Sequence, residues 1–307
     1  MQIAALRHPL ATVASRVLPS GAKMGLKRLQ RAYVRTFWAF TAADLCNALQ
    51  RLGVEPGDFL MVHSSFDKFL GFRGGPVEAI HALQDVVGPR GTLMMPTLPF
   101  TGSAIEYTSR DLVFDVRRTA SRMGFITEVF RRGPEVVRSL HPTHSVAVWG
   151  NKADAIIAGH HVAETPCGRR TPYGKLLECD GKILFAGVPV STMTFFHFVE
   201  EELEPRMPFP LFAPEEYALR WKDEAGVIGV SKMRLFSLRL AGHRDLNPLA
   251  SELQRRKQWR EWRVGRLRLI LLRAREVYDA TFALAERGVF CYERLVLAGH
   301  EPAVMRP

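Results

Sequence analysis

The sequence predicts an α/β layered fold with a largely parallel central sheet and a smaller C-terminal α+β lobe. Between residues 41 and 187, segments with helical spacing of apolar residues alternate with short apolar strands, which is typical of parallel sheets built through crossover connections. The 307 residues are 47% hydrophobic, enough to bury a sizeable core. After residue 205, prolines and a hairpin pattern replace the alternation, which indicates the lobe.

The first unit of the alternation is a helix, a turn and a strand. Thr41 is a suitable N-cap for a helix over Ala42–Leu52, and Glu55–Asp58 forms a Pro-Gly turn into a strand over Phe59–His63. The next unit has Pro in the first turn of a helix over 76–87, followed by a strand over 92–95. Later elements follow the same patterns: helices 123–131, 152–158 and 173–179, strands 145–149 and 183–187, a hairpin over 217–238, a strand over 267–272 and a helix over 273–285.

The ends of the chain are basic. We expect residues 1–38 to form a basic arm, which packs on its own domain or a second subunit rather than on a membrane surface, ahead of a domain over 39–307 that contains the lobe at 206–265. The net charge of +11 favours anionic partners, but no nucleic-acid-binding module accompanies it. No apolar run is long enough to span a membrane and no signal peptide precedes the fold, so we expect a cytoplasmic protein. The four cysteines lack CxxC spacing, which predicts reduced thiols.

A histidine and a glutamate stand three positions apart in the segment TFFHFVE, after the strand-like run at 182–188. On a helix, His197 and Glu200 share one face, so the carboxylate can fix the tautomer of the imidazole and make it a better base. Taken alone, such a pair is more often a capping or surface contact, so other residues must decide between the two interpretations.

Small hydroxyl residues and glycines follow the first strand. Ser64 and Ser65 lie at its carboxyl end, and the loop Gly71–Gly75, which contains Arg73, opens onto a helix. Such a turn can bind a phosphate through backbone amides and the helix N-terminus. The pattern is neither GxGxxG nor GxxxxGK[ST], which argues against a dinucleotide-dependent dehydrogenase and a P-loop kinase.

A second polar cluster, RSLHPTHS at 138–145, places two histidines and two serines in a turn before a strand. Pro142 stiffens this turn, so the side chains could face a crevice at the edge of the sheet. Histidines three apart also suit zinc, with His63, His160, His161 or His197 completing a site. No HExxH motif accompanies them, and a zinc-dependent hydrolase therefore remains only an alternative.

Six segments, taken in order, resemble the aminoglycoside 3-N-acetyltransferase family, whose α/β architecture is distinct from the GNAT fold. They cover roughly residues 40 to 200, with a looser match through the lobe, and read VHSS (62–65), GPRGTLMMPT (88–97), MGFITEVFR (123–131), RSLHPTHS (138–145), TPYGKL (171–176) and TFFHFVE (194–200).

The resemblance implies an acyltransferase that moves an acetyl group from acetyl-CoA to an amine without a metal. It implies that His197 is the catalytic base, Glu200 its carboxylate and Thr194 a catalytic partner. The residues it implies along the path of CoA are His63, Ser64, Ser65, Arg73, Gly74, Gly75, Ser139, His141 and Ser145.

The sequence leaves two chemical classes of acceptor open. The family's usual Pro-Ser before Met-Gly is replaced by Thr119–Arg122, and a basic chain does not suit a polycationic drug. The acceptor is therefore an aminoglycoside or related amino sugar, or else a nucleotide-linked amino sugar of polysaccharide or natural-product synthesis. The oligomeric state is also open, and a homodimer is compatible with the sequence.

Overall fold

The computed structural model describes residues 33–34 and 36–293, which form two sheets with helices on both faces of the larger one. The strands are β1 (Phe59–Ser64), β2 (Thr92–Pro96), β3 (Phe114–Asp115), β4 (Val136–Arg138), β5 (Val146–Gly150), β6 (Lys182–Ala186), β7 (Phe212–Lys222), β8 (Ile228–Phe236), β9 (Arg260–Val264) and β10 (Leu267–Arg273). The helices are α1 (Ala42–Leu52), α2 (Pro76–Val87), α3 (Ala104–Thr108), α4 (Phe125–Phe130), α5 (Ala153–Ile157), α6 (Pro172–Glu178), α7 (Phe195–Leu203), α8 (Asn247–Arg255) and α9 (Ala274–Glu286).

The larger sheet has seven strands in the order β4-β5-β2-β1-β6-β10-β9. The α/β class predicted from the sequence is confirmed. Parallel pairing, however, is confined to the three central strands β2, β1 and β6, whereas β4, β5, β10 and β9 pair antiparallel. The expectation of a largely parallel sheet thus holds for the centre only. A short connection joins β4 to β5 and another joins β9 to β10, and strands joined in this way pair antiparallel.

The side chains of alternate residues in the central strands pack into two separate cores. Met61 and Phe185 point into a core that contains α5 to α9, whereas Leu60 and Leu184 point into a core with α1, α2 and α4 on the opposite face. Strands buried on both faces read as continuous apolar runs, which is the pattern of the sequence there.

Capping residues explain why the first two helices begin where the sequence predicts. Thr41 and Asp44 form a capping box at α1, and Gly53 ends that helix in the left-handed conformation (φ 104°). The hairpin is also present, as β7 and β8. It forms a three-stranded sheet with β3 and packs on its own small core.

The elements that the sequence did not predict are α3, β3, β4, α8 and β9. The division into a 1–38 arm and a 39–307 domain with a lobe at 206–265 stays a prediction, and residues 1–32 and 35 of the arm lie outside the described residues. Across the described ranges, no helix is long and apolar enough to cross a membrane.

Candidate active site

The predicted proton-transfer pair lies at the carboxyl edge of the parallel strands. The chain leaves β6 at Ala186, makes a 3-10 turn over Val190–Thr192 and begins α7 at Phe195, which puts His197 in the first turn of that helix. β1 ends at the same edge, with His63 next to its last residue. Ligand sites of α/β sheets form at this edge.

His197 and Glu200 form the hydrogen bond that their spacing predicts. The distance from His197 Nδ1 to Glu200 Oε1 is 2.7 Å. Because an ionised carboxylate can only accept, Nδ1 carries the proton and donates it, and Nε2 keeps its lone pair. About a fifth of the imidazole surface is exposed, whereas Glu200 is buried. The pair is therefore an internal unit rather than a surface contact.

Glu200 is also held by two residues that the sequence analysis missed. Arg244 donates from Nε to Oε2 at 2.9 Å and from Nη2 to Oε1 at 2.6 Å, and the hydroxyl of Tyr292 donates to Oε2. Burial alone would raise the pKa of Glu200, but the guanidinium of Arg244 and the hydrogen bond from His197 lower it to about 2. The carboxylate thus stays ionised and orients the imidazole without taking its proton.

Arg244 is fixed in place by aromatic rings and backbone pairing. Its guanidinium lies 5.3 Å from the ring centroid of Phe236 and 5.8 Å from that of Tyr292, and the backbones of Arg244 and Tyr292 form an antiparallel bridge. These residues lie 44 and 92 positions from Glu200. No motif surrounds either of them, so nothing in the sequence pointed to this contact.

The imidazole of His197 is held in its neutral form. Burial, followed by the positive charge of Arg244, lowers its pKa, while Glu200 acts in the opposite direction. The ring makes an edge contact with His144, at 5.7 Å between centroids, and burial lowers the pKa of His144 well below its ordinary value. At neutral pH both rings are uncharged, so His197 can accept a proton.

A cleft of about 110 Å³ opens beside His197. Its wall is formed by apolar, hydroxyl and imidazole groups and one guanidinium, from Leu98, Phe100, Gly102, Ser103, Ala104, His144, His197, Phe236, Ser237, Ala241, Gly242 and Arg244. The imidazole of His197 therefore faces an open space.

His63 and Ser64, expected on the path of CoA, lie at the end of β1, and His63 is near His197. Both are buried, and among the described residues His63 Nε2 and Ser64 Oγ have no hydrogen-bond partner. Burial, followed by the nearby His197, lowers the pKa of His63 to about 3. Ser65 follows, and its amide donates to the carbonyl of Ala186 at 3.3 Å. Contact of these side chains with CoA stays a prediction.

The loop Arg73–Gly75 lies at the N-terminus of α2. The amide of Gly75 donates to the carboxylate of Glu78 at 2.7 Å, so the helix already has an acidic group over its first amides. Arg73 is exposed. No hydrogen bond or ring contact within the described ranges joins this loop to His197, and its role in binding CoA stays a prediction.

Ser139, His141 and Ser145 are fully buried and serve the packing of the turn before β5. Ser139 Oγ lies 2.9 Å from His160 Nδ1 and accepts from the amide of Val146, and Ser145 Oγ donates to the carbonyl of Thr97. In the turn itself, the amide of His144 donates to His141 Nδ1 at 2.9 Å. These bonds hold His144 against His197, and contact with CoA stays a prediction.

Thr194 precedes α7, and its carbonyl accepts from the amide of His197 at 3.0 Å. Its side chain is buried, and a catalytic role for it also stays a prediction. Throughout the part of the chain that the structure describes, no three His, Cys, Asp or Glu side chains are arranged to hold a metal ion.

Fold and site together define an α/β protein with an imidazole–carboxylate pair suited to general base chemistry. The family model described as aminoglycoside 3-N-acetyltransferase matches residues 61–286, and the chain belongs to this family. The predicted resemblance is therefore confirmed.

Two curated relatives show the extent of the likeness in sequence. The chain is 32% identical over 176 residues to the prophage-derived aminoglycoside N(3')-acetyltransferase-like protein YokD of Bacillus subtilis, a match that covers 52% of this chain and 64% of YokD. It is 33% identical over 175 residues to aminoglycoside N(3)-acetyltransferase VII of Streptomyces paromomycinus, covering 52% of this chain and 60% of the relative. The matches thus span less than two thirds of these relatives.

The likeness in three dimensions extends further. The crystal structure of the aminoglycoside acetyltransferase AAC(3)-Xa superposes with a TM-score of 0.72 at 26% identity, covering 87% of this chain and 99% of that one. The crystal structure of YokD from Bacillus subtilis gives 0.66 at 25% identity, with 81% and 93% covered. The fold is thus common to nearly the whole of both solved chains.

Proposed function

We propose that this protein transfers an acetyl group from acetyl-CoA to an amino group of an aminoglycoside or related amino sugar. The observation that supports this most is the buried chain of contacts from Arg244 through Glu200 to His197, with the imidazole facing the cleft. Family membership supports the choice of acyl donor and acceptor class.

In the proposed reaction His197 acts as the general base. The amine of the acceptor gives a proton to Nε2 as its nitrogen attacks the thioester carbonyl carbon, and the carbon–sulfur bond then breaks. The imidazolium returns the proton to the leaving thiolate, so the imidazole is neutral again at the end. Glu200 stabilises the imidazolium and keeps the ring in the productive tautomer.

Around this step, we propose the remaining roles as the family pattern suggests. His63, Ser64 and Ser65 contact the acyl donor near its thioester, Arg73 with Gly74 and Gly75 binds its phosphates, and Thr194 helps to stabilise the oxyanion. Ser139, His141 and Ser145 line the same path of the acyl donor, and their hydrogen bonds also support the turn that carries His144. We also propose a cytoplasmic enzyme, with the N-terminal arm packed on its own domain or on a second copy of the chain.

The experiment that tests this function is replacement of the base. With an amine that the native protein acetylates, His197→Ala should lower the turnover of acetyl-CoA by a factor of about 10² to 10⁴. Its affinity for acetyl-CoA should stay within about twofold of that of the native protein. His81→Ala is the matched control, since His81 lies on the exposed face of α2. Thiol release measures turnover and calorimetry measures binding. Near-normal turnover in His197→Ala would refute the proposal that His197 is the general base.

A further inference from the structure

Two imidazoles, those of His144 and His197, line the cleft at the candidate active site. Their rings form an edge contact, with 5.7 Å between centroids and an angle of 90° between the ring planes. The other ring of the lining that contacts His197 is that of Phe236, which has no polar atom. His144 is therefore the ring neighbour of His197 that can form a hydrogen bond at the reacting centre.

His144 has one ring nitrogen that is bonded to the protein and one that is open to the cleft. Its Nδ1 lies 3.0 Å from Thr143 Oγ1. Within the described ranges Nε2 has no hydrogen-bond partner, and it is not one of the buried side-chain atoms that lack a partner, so it reaches the cleft. His63, which also lies near His197, differs because its unpartnered Nε2 is buried.

The contacts of Thr143 decide which nitrogen of His144 carries the proton. His141 Nδ1 accepts from the amide of His144 at 2.9 Å and from the amide of Thr143 at 3.3 Å, so its single lone pair is already used. The hydroxyl of Thr143 is 3.5 Å from that nitrogen and donates instead to His144 Nδ1. Burial lowers the pKa of His144 well below its ordinary value, so the ring is neutral and its one proton is on Nε2.

We propose that Nε2–H of His144 donates a hydrogen bond to the carbonyl oxygen of the thioester, and that Thr143 is the positioning residue that sets its tautomer. The inference rests on the proposed function, because it concerns the same acyl transfer at His197. As the amine attacks, the carbonyl electron pair moves onto the oxygen, which accepts from His144; when the carbon–sulfur bond breaks, the carbonyl re-forms. His144 keeps its proton throughout and acts in addition to Thr194.

The surroundings of His144 suit a fixed donor. The ring is held between Phe100 and Phe236, at 5.9 and 5.8 Å between centroids, and the hydroxyl of Tyr173 donates to the backbone carbonyl of His144 at 3.0 Å. A donor that is oriented before the reaction stabilises the developing negative charge without reorganisation. Since its lone pair at Nδ1 is occupied, His144 does not compete with His197 for the proton of the amine.

Two replacements of His144 separate a hydrogen-bond donor from a packing group. His144→Leu removes the donor and keeps an apolar side chain, whereas His144→Gln keeps an N–H donor near the position of Nε2. With an amine that the native protein acetylates, His144→Leu should lower kcat by about 10² to 10³ and leave the dissociation constant of acetyl-CoA within about threefold. His144→Gln should recover roughly tenfold of that loss. Equal kcat in the two variants, or a loss of acetyl-CoA affinity in place of a loss of kcat, would overturn the proposal.

Replacements of the buried Thr143 test the tautomer. Thr143→Val removes the hydroxyl and keeps the shape, and Thr143→Ser is the matched control that keeps the hydroxyl. NMR shifts of the ring nitrogens in isotope-labelled histidine report which nitrogen is protonated, and the signals of His144 are those that His144→Gln lacks. We expect Nε2–H in native protein and in Thr143→Ser. Thr143→Val should lose this single tautomer and have a kcat about fivefold lower, the effect of losing one neutral hydrogen bond. An Nδ1–H tautomer in native protein, or an unchanged tautomer and kcat in Thr143→Val, would overturn the proposal.

The donor and the base can fail separately. If His197→Ala keeps its turnover while His144→Leu loses it, the proposed base is wrong and the donor stands. If His197→Ala loses its turnover while His144→Leu keeps it, the base stands and the donor is wrong. The tautomer of His144 is measured on the free protein, so it is decided even where no amine is acetylated.

Discussion

Replacing Arg244 by Met removes the positive charge from a buried carboxylate while keeping much of the side-chain volume. Glu200 is 1% exposed, and its pKa falls from 4.5 to about 2 in the folded protein, which corresponds to about 3 kcal/mol of stability at neutral pH. Removal of one partner from a buried ion pair typically costs about 3 to 5 kcal/mol. We therefore expect Arg244→Met to lower the free energy of unfolding by about 3 to 5 kcal/mol at pH 7.5.

Urea unfolding followed by circular dichroism measures this change without any substrate. The contribution of Glu200 is present above pH 4.5 and is lost as the pH falls toward 2, because the folded state holds the carboxylate ionised. In Arg244→Met burial is no longer opposed by the guanidinium, so the pKa of Glu200 rises and the carboxylate takes up a proton more easily. The deficit relative to native protein should thus be smaller at pH 5 than at pH 7.5.

Two comparisons make the result specific to the buried charge. Glu200→Gln in the Arg244→Met background should recover part of the loss, since no ionised group is then left without its partner. Arg220→Met removes an exposed arginine that pairs with Asp111 at 3.0 Å and should cost less than about 1 kcal/mol. A loss below 1 kcal/mol in Arg244→Met, or one that is independent of pH, would refute this account of the site.

Three further changes test neighbouring contacts. Tyr292→Phe removes one donor to Glu200 and should cost about 1.5 to 3 kcal/mol, less than Arg244→Met in the same urea assay. Burial raises the pKa of Glu201 to about 8, so between about pH 4.5 and 8 the folded protein holds a proton that the unfolded chain releases. The free energy of unfolding should therefore fall as the pH rises through this range, and Glu201→Gln should flatten the dependence. An unchanged pH profile in Glu201→Gln would contradict the raised pKa of Glu201. Ser139→Ala should cost about 1 to 3 kcal/mol, because it removes a buried hydroxyl that bonds His160 and Val146, whereas the exposed control Ser109→Ala should cost less than about 0.5 kcal/mol. Equal affinity of the two variants for acetyl-CoA would count against a place for Ser139 on the path of CoA.

Local signals predicted most elements of the first half of the fold to within a residue or two, although α3, β3 and β4 were missed. The helices α1 and α2 have the bounds that the sequence predicts, because Thr41 and Pro76 mark their starts and glycines follow their ends. In contrast, α8 and β9 were missed, and they lie in an arginine-rich stretch for which the sequence analysis predicted no element. Arg255 and Arg256 bind Glu252 at the i, i+3 and i, i+4 spacing of a helix. Arg260 binds Glu276 and joins β9 to α9, and this tertiary contact is one that spacing does not reveal.

The contacts of the candidate site were also predicted only in part. The contact of His197 with Glu200 was predicted because three positions on a helix bring two side chains together. Arg244 and Tyr292 reach the same carboxylate from elsewhere in the chain, and a single arginine or tyrosine without a motif carries no signal of that kind. Likewise, the sequence could place Ser139 near the sheet edge but could not show that its hydroxyl faces the core.

The bridge between Arg244 and Tyr292 also determines when the contacts around Glu200 can form during synthesis. A nascent chain that has emerged only as far as α7 holds His197 and Glu200 but neither the cation nor the phenol that balances the carboxylate. Arg244 follows Glu200 by 44 residues and Tyr292 follows it by 92 residues, so this buried group of contacts cannot be completed until nearly the whole described chain has left the ribosome. Fragments that end before residue 292 should therefore fold, if at all, without a finished site.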